Sequence, residues 1–96
     1  MSSREERLAH TETLFRNVNE RIVELGDQRD GAYDIVCECV DTNCMGVMRV
    51  HTGDYERLRL TTRRFAVLTG HERLEIEDVV ERHRTFLVVE KHVDPR

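Results

Sequence analysis

Tyr33-Asp-Ile-Val-Cys37-Glu-Cys39-Val-Asp-Thr-Asn-Cys44-Met-Gly-Val47-Met48-Arg-Val50 is the stretch whose reading decides the fold. Its first part alternates, with Tyr33, Ile35 and Cys37 on one side and Asp34, Val36 and Glu38 on the other, the period-two pattern of a strand. Val47, Met48 and Val50 suggest a second strand. The segment between them, Cys37 to Cys44, reads as the loop of the hairpin that pairs the two. It also puts three cysteines into eight residues as Cys-x-Cys-x4-Cys. Zinc takes four thiolate or imidazole ligands in a tetrahedron at about 2.0 to 2.3 Å, so the spacing predicts a Zn2+ ion pinning the hairpin, with a fourth ligand from elsewhere. Isolated cysteines are often no more than small buried apolar groups. Clustering among Glu38, Asp41, Thr42 and Asn43, a polar turn-like setting, argues against that here. Three cysteines is an odd number, and Cys37 and Cys39 are too close for a relaxed disulfide, which favours ligation in a reducing compartment. The spacing matches none of the ferredoxin-type iron–sulfur patterns.

Outward toward the N-terminus, residues 3–25 predict a long amphipathic helix with Leu8, Phe15, Val18, Ile22 and Leu25 on one face. Ser3 and Glu6 suit a capping box and Gly26 a left-handed exit. Asp27 to Gly31 reads as a turn. Toward the C-terminus, Thr52-Gly53-Asp54 predicts the N-cap and acidic first turn of a short helix that carries Tyr55 and Leu58 inward and ends near Thr62. Phe65 to Leu68 predicts a strand, Thr69 to Glu72 a turn, and Val79-Val80 with Thr85 to Glu90 a closing hairpin around His83-Arg84. Pro95 falls in a tail. With no repeat or linker, residues 1–96 predict one α+β domain. In it the long N-terminal helix packs on a small, mainly antiparallel sheet of about three to five strands in residues 32–92, with a short second helix and the zinc knuckle.

Composition agrees with a metal-stapled core. The 96 residues are 39% hydrophobic and 35% charged, with three Phe, two Tyr and no Trp, a thin apolar supply for a small domain. Fifteen Lys and Arg against nineteen Asp and Glu give a net charge of -4, the wrong sign for general attraction to phosphate backbones. No apolar run is long enough to cross a bilayer, and the opening residues carry no apolar signal core. The expectation is a cytoplasmic protein without a membrane partner.

Five histidines could supply the fourth ligand. His10 falls on the first helix, His83 at a hairpin tip and His92 in the tail, which leaves His51 and His71. His71 follows Gly70 in a turn directly after a strand, where the backbone can aim an imidazole back at the knuckle. His51, Asp41, Glu38, a water or another chain's residue remain as alternatives at this point. Catalysis at the cluster is not expected. A sphere of four protein ligands leaves no open position, and the flanking Glu38 and Asp41 should raise the thiol pKa values rather than activate a nucleophile.

Three further features carry competing readings. Arg57, Arg59, Arg63 and Arg64 crowd the second helix and its exit and would suit a nucleic-acid backbone, or simply a solvated face paired with acids. The helical stripe falls near heptad a and d positions, broken by Thr11, and could seat a second copy or a protein partner. Glu72, Glu75, Glu77, Asp78 and Glu81 form an acidic run read as solvating a loop and a hairpin edge.

The order of motifs resembles a group of small actinobacterial proteins with an N-terminal helix, a cysteine knuckle and a Gly-His-Glu turn. The matching residues are Leu14 to Ile22, Cys37-Glu-Cys39 with Cys44, Asp54 to Arg59, Arg64 to Val67, Gly70-His-Glu72, Val79 to Glu81 and Val88 to Lys91. The resemblance implies that His71 belongs with the cysteines, giving a ligand set of Cys37, Cys39, Cys44 and His71. Thr69 stands where the pattern has proline. No activity comes with the resemblance. The functional expectation is a non-enzymatic regulatory or protein-interaction module built on a structural zinc site, with a partner or a homodimer on the first helix. The alternatives are a nucleic-acid-binding zinc protein using the arginine patch and a redox- or metal-sensing switch.

Overall fold

The computed structural model describes residues 3–26 and 28–92; within α1 the side chains at positions 3–5, 8 and 9 lie outside that description. The expected capping box at Ser3, the inward Leu8, the turn residue Asp27 and the tail at Pro95 therefore fall outside the described residues. Eight elements follow in order: α1 (Ser3–Glu24), β1 (Gln28–Arg29), β2 (Ala32–Val36), β3 (Val47–His51), α2 (Thr52–Arg59), β4 (Arg64–Leu68), β5 (Glu77–Arg82) and β6 (Phe86–Lys91). The class is α+β, as the sequence predicts.

The knuckle is the hairpin loop it was expected to be. β2 and β3 pair antiparallel from Ala32 opposite His51 to Val36 opposite Val47, and Cys37 N donates to Gly46 O at 3.0 Å just beyond. One face of this ribbon buries Tyr33, Ile35, Met48 and Val50. α2 starts at Thr52, so His51 occupies the N-cap and no side chain caps the helix; it ends at Arg59, one turn short of the expected limit. Tyr55 and Leu58 are buried from it.

Two expectations are corrected. First, the strands form two three-stranded antiparallel sheets, ordered β1-β2-β3 and β4-β6-β5, in place of a single sheet. The break lies at Glu38. Its N–H donates to Ala66 O at 2.8 Å and its carboxylate accepts from Ala66 N at 2.9 Å, so one residue completes the pairing of the β4 edge. Second, α1 presents a different face to the body. Glu12 and Asn19 are fully buried, while Leu14, Val18 and Leu25 are 49%, 47% and 66% exposed. Of the expected stripe, Ile22 does pack against the core, beside Val23, while Val18 and Leu25 do not. The buried meridian is thus turned by roughly 100°, one residue step, from the expected stripe.

Polar anchoring is the reason for the turn. The Asn19 amide donates to Val36 O and accepts from Val36 N, both at 2.8 Å. It plugs the edge of β2 where the two-residue β1 ends, satisfying backbone groups that burial would otherwise orphan. Farther along, Glu12 pairs with the buried Lys91 of β6, and Arg16 donates to Thr62 O with its guanidinium 4.9 Å from the Phe65 ring centre. These contacts fix which face of the helix points in.

Candidate metal centre

The four expected ligands come from three differently built pieces of backbone. Cys37 and Cys39 leave the end of β2, Cys44 closes the knuckle, and His71 stands after β4. The knuckle is held by local bonds: Asn43 N to the Asp41 carboxylate at 2.9 Å and Cys44 N to Asp41 O at 3.0 Å. Asp41 is therefore a turn former, in the Asx manner. Gly46 sits where a side chain would not fit, because a Cβ there would run into Leu68 and lie 3.4 Å from Cys44 Sγ. His71 is aimed by a tight turn in which His71 N donates to Leu68 O at 2.9 Å and Gly70 adopts φ +93, a region open to glycine at little cost.

The ligand atoms of Cys37, Cys39, Cys44 and His71 all lie within 4.8 Å of one another. His71 Nδ1 is 3.6 Å from Cys37 Sγ and 3.5 Å from Cys44 Sγ. A tetrahedral ion with bonds of about 2.3 Å to sulfur and about 2.05 Å to nitrogen requires S···N separations of about 3.5 to 3.6 Å. The two separations from His71 to Cys37 and Cys44 match that requirement. Backbone donors face the sulfurs, Leu68 N to Cys37 Sγ at 3.2 Å and Gly46 N to Cys44 Sγ at 3.5 Å, the outer contacts that orient metal-bound thiolates.

The thiols are not electrostatically alike. Cys37 is raised, first by its hydrogen bond to Cys39 and then by burial. Cys39 is drawn down to about 5, chiefly because it accepts that bond from Cys37, with burial opposing. Cys44 is raised by burial. The expectation that Glu38 and Asp41 would raise all three is therefore corrected: the rises at Cys37 and Cys44 come from the neighbouring thiols and burial, and at Cys39 the Asp41 backbone lowers the pKa while Glu38 faces elsewhere. Cys37 and Cys39 are buried, Cys44 is half-buried and His71 exposed. A cleft of about 450 Å³, lined in part by Cys39, His71, Glu72 and Arg73, opens beside them.

The other candidate ligands are placed apart from this cluster. His51 lies at the end of β3 as the N-cap of α2. His83 Nε2 meets Glu81 at 2.9 Å and its ring stacks on Phe86 at 4.3 Å; His92 Nε2 meets Asp78 at 3.2 Å. His10 is exposed on α1. No family model, no curated protein and no solved structure matches the chain, so the geometry alone carries the functional argument.

The four arginines of the suspected patch are each paired within the chain. Arg57 meets Glu81 at 2.8 Å and Asp54 at 3.3 Å. Arg59 meets Glu38 at 3.0 Å, Arg64 meets Glu90 at 3.1 Å, and Arg63 donates twice to Lys91 O. The acidic run is not uniformly solvated, because Glu77 is buried, 3.3 Å from Lys91 Nζ and accepting from Arg73 N at 2.9 Å. Burial raises the Glu77 carboxyl to about 7.

Sequence reasoning missed Glu38. Its carboxylate is fully buried. One oxygen accepts from Asn19 Nδ2 at 2.8 Å and Tyr55 OH at 3.2 Å, the other from Arg59 at 3.0 Å and Ala66 N at 2.9 Å. The strand alternation that turns Cys37 toward the metal centre turns Glu38 the opposite way. That periodicity was visible in the sequence, but the partners at positions 19, 55, 59 and 66 were not.

Proposed function

We propose that this chain is a non-enzymatic zinc-binding module, in which Cys37, Cys39, Cys44 and His71 hold a structural Zn2+ and the stabilised body serves protein interaction or regulation. One observation carries the reading: four soft ligand atoms converge within 4.8 Å, at His–Cys spacings of 3.5 and 3.6 Å that suit tetrahedral zinc. Three thiolates favour zinc over the hard cations, which prefer oxygen. Four protein ligands close the sphere, leaving no position for a substrate or an activated water. The partner surface is α1, whose Leu14, Val18 and Leu25 face solvent and could seat a helix of a partner or of a second copy.

Native mass spectrometry with metal analysis tests the site. One zinc per chain in the wild type, lost in His71→Ala and kept in His51→Ala, is the expected result. An absence of zinc from the wild type, or full retention without His71, would sink it. The half-buried Cys44 favours a second reading, a redox-responsive site in which peroxide oxidises this sulfur and ejects the ion. Zinc release at low peroxide would support that reading, and retention would remove it.

A further inference from the structure

Two observations outside the ligand set bear on each other. Glu38 is the only residue between the buried ligands Cys37 and Cys39, and it is also the residue that Asn19 of α1 grips at 2.8 Å. The Cys37 and Cys39 sulfurs lie in one cluster while the Glu38 carboxylate is directed away from it, so fixing the two sulfurs on an ion fixes the residue between them. That carboxylate receives Asn19 from α1, Tyr55 and Arg59 from α2, and the Ala66 amide from β4. α1 meanwhile turns Leu14, Val18 and Leu25 to solvent. Polar anchors carry much of its attachment, and the central one ends on a residue clamped by two metal ligands.

We infer that metal occupancy and the docking of α1 are one coupled equilibrium, transmitted through Glu38 acting as a positioning residue. The inference rests on the zinc reading above and adds its consequence for the helix. With the ion bound, the 37–39 segment is rigid, the carboxylate is in place, and Asn19 bridges Glu38 and the β2 edge. Without it the segment relaxes, the carboxylate leaves its four donors unevenly served, and α1 loosens around Asn19 while Glu12 stays paired with Lys91 and the β4-β6-β5 sheet stays folded. Coupling of binding equilibria is reciprocal. Loosening α1 at a position remote from any ligand must therefore weaken metal binding by the factor with which the metal strengthens docking.

The test uses the full chain. Zinc affinity is measured by competition with a chromophoric chelator, and hydrogen exchange is followed for the amides of α1 and, as an internal reference, of β6. In the wild type, chelation should cost the α1 amides on the order of tenfold in protection while β6 is retained. Asn19→Ala should bind zinc about tenfold more weakly, within the usual span of such couplings, and exchange faster in α1 even when loaded. Asn17→Ala, exposed on the same helix, should leave both readouts unchanged. Should Asn19→Ala not fold, Glu38→Gln, which keeps the side chain's size, carries the same test. Unaltered zinc affinity in these variants, α1 protection indifferent to zinc, or simultaneous loss of β6 and α1 protection on chelation would each overturn the coupling. A wild-type chain that takes up no zinc would instead overturn the metal reading itself.

Discussion

A buried carboxylate is tolerable only when its lone pairs are taken, and Glu38 meets that condition with four donors from three elements. Burial raises its pKa, and Arg59 and the hydrogen bonds pull it back. Glu38→Ala would take from Arg59, 17% exposed at its side chain, its buried carboxylate partner, leaving it Arg64 O and the more distant Glu20, and would unpair the Ala66 amide. We expect a loss of about 3 to 5 kcal/mol, the range for breaking a buried pair from one side, read from urea denaturation of the zinc-loaded protein; a loss under about 1 kcal/mol would deny Glu38 its structural weight. Glu77 makes a second residue-scale prediction. Its folded pKa of about 7 lies above the ordinary 4.5, so between those values the native chain keeps a proton that the unfolded chain has released. Its contribution is therefore full below pH 4.5 and is lost as the pH rises through about 7. Glu77→Gln should gain stability relative to the wild type as the pH is raised from about 5.5 to 7.5, compared with both proteins zinc-loaded; a difference independent of pH would contradict the assignment.

At the scale of elements, the knuckle hairpin and both helices were legible because each is written in contiguous residues. The alternation at 33–38, the apolar run after Gly46 and the spacing of Tyr55 and Leu58 all concern neighbours in the chain. The inward face of α1 was not legible. Its apolar stripe lost to anchors whose partners are Val36, Glu38, Thr62 and Lys91, far along the sequence, and a pattern of hydrophobicity carries no record of such pairs. The turned helix makes its own prediction. Val18→Ser and Leu14→Ser should each change stability by less than about 0.5 kcal/mol, as surface substitutions do, whereas Ile22→Ala, packed on the core, should cost about 1 to 2 kcal/mol. Thermal denaturation decides, and a large loss at Val18 would mean that the stripe is covered.

Across the whole molecule, the single sheet expected from the strand count became two because one residue joins them side on, and no strand propensity encodes such a joint. The metal cluster was legible for the opposite reason. Three cysteines lie within eight residues, and His71 follows a glycine turn that returns it to them. Because ligand binding to the native state adds to stability in proportion to RT ln(1 + [L]/Kd), the melting midpoint should climb with free zinc and fall on chelation. A midpoint indifferent to both would mean that the ion adds nothing to the fold. The spacing between Cys37 and Cys39 then acquires a second meaning. An ion would accept a Cys-x-x-Cys pair as readily, but an inserted residue would reverse the alternation and aim the second sulfur, or the carboxylate, at the wrong side. An insertion between these cysteines should therefore disturb more than coordination: the one residue between them is also the residue that keeps the two sheets joined.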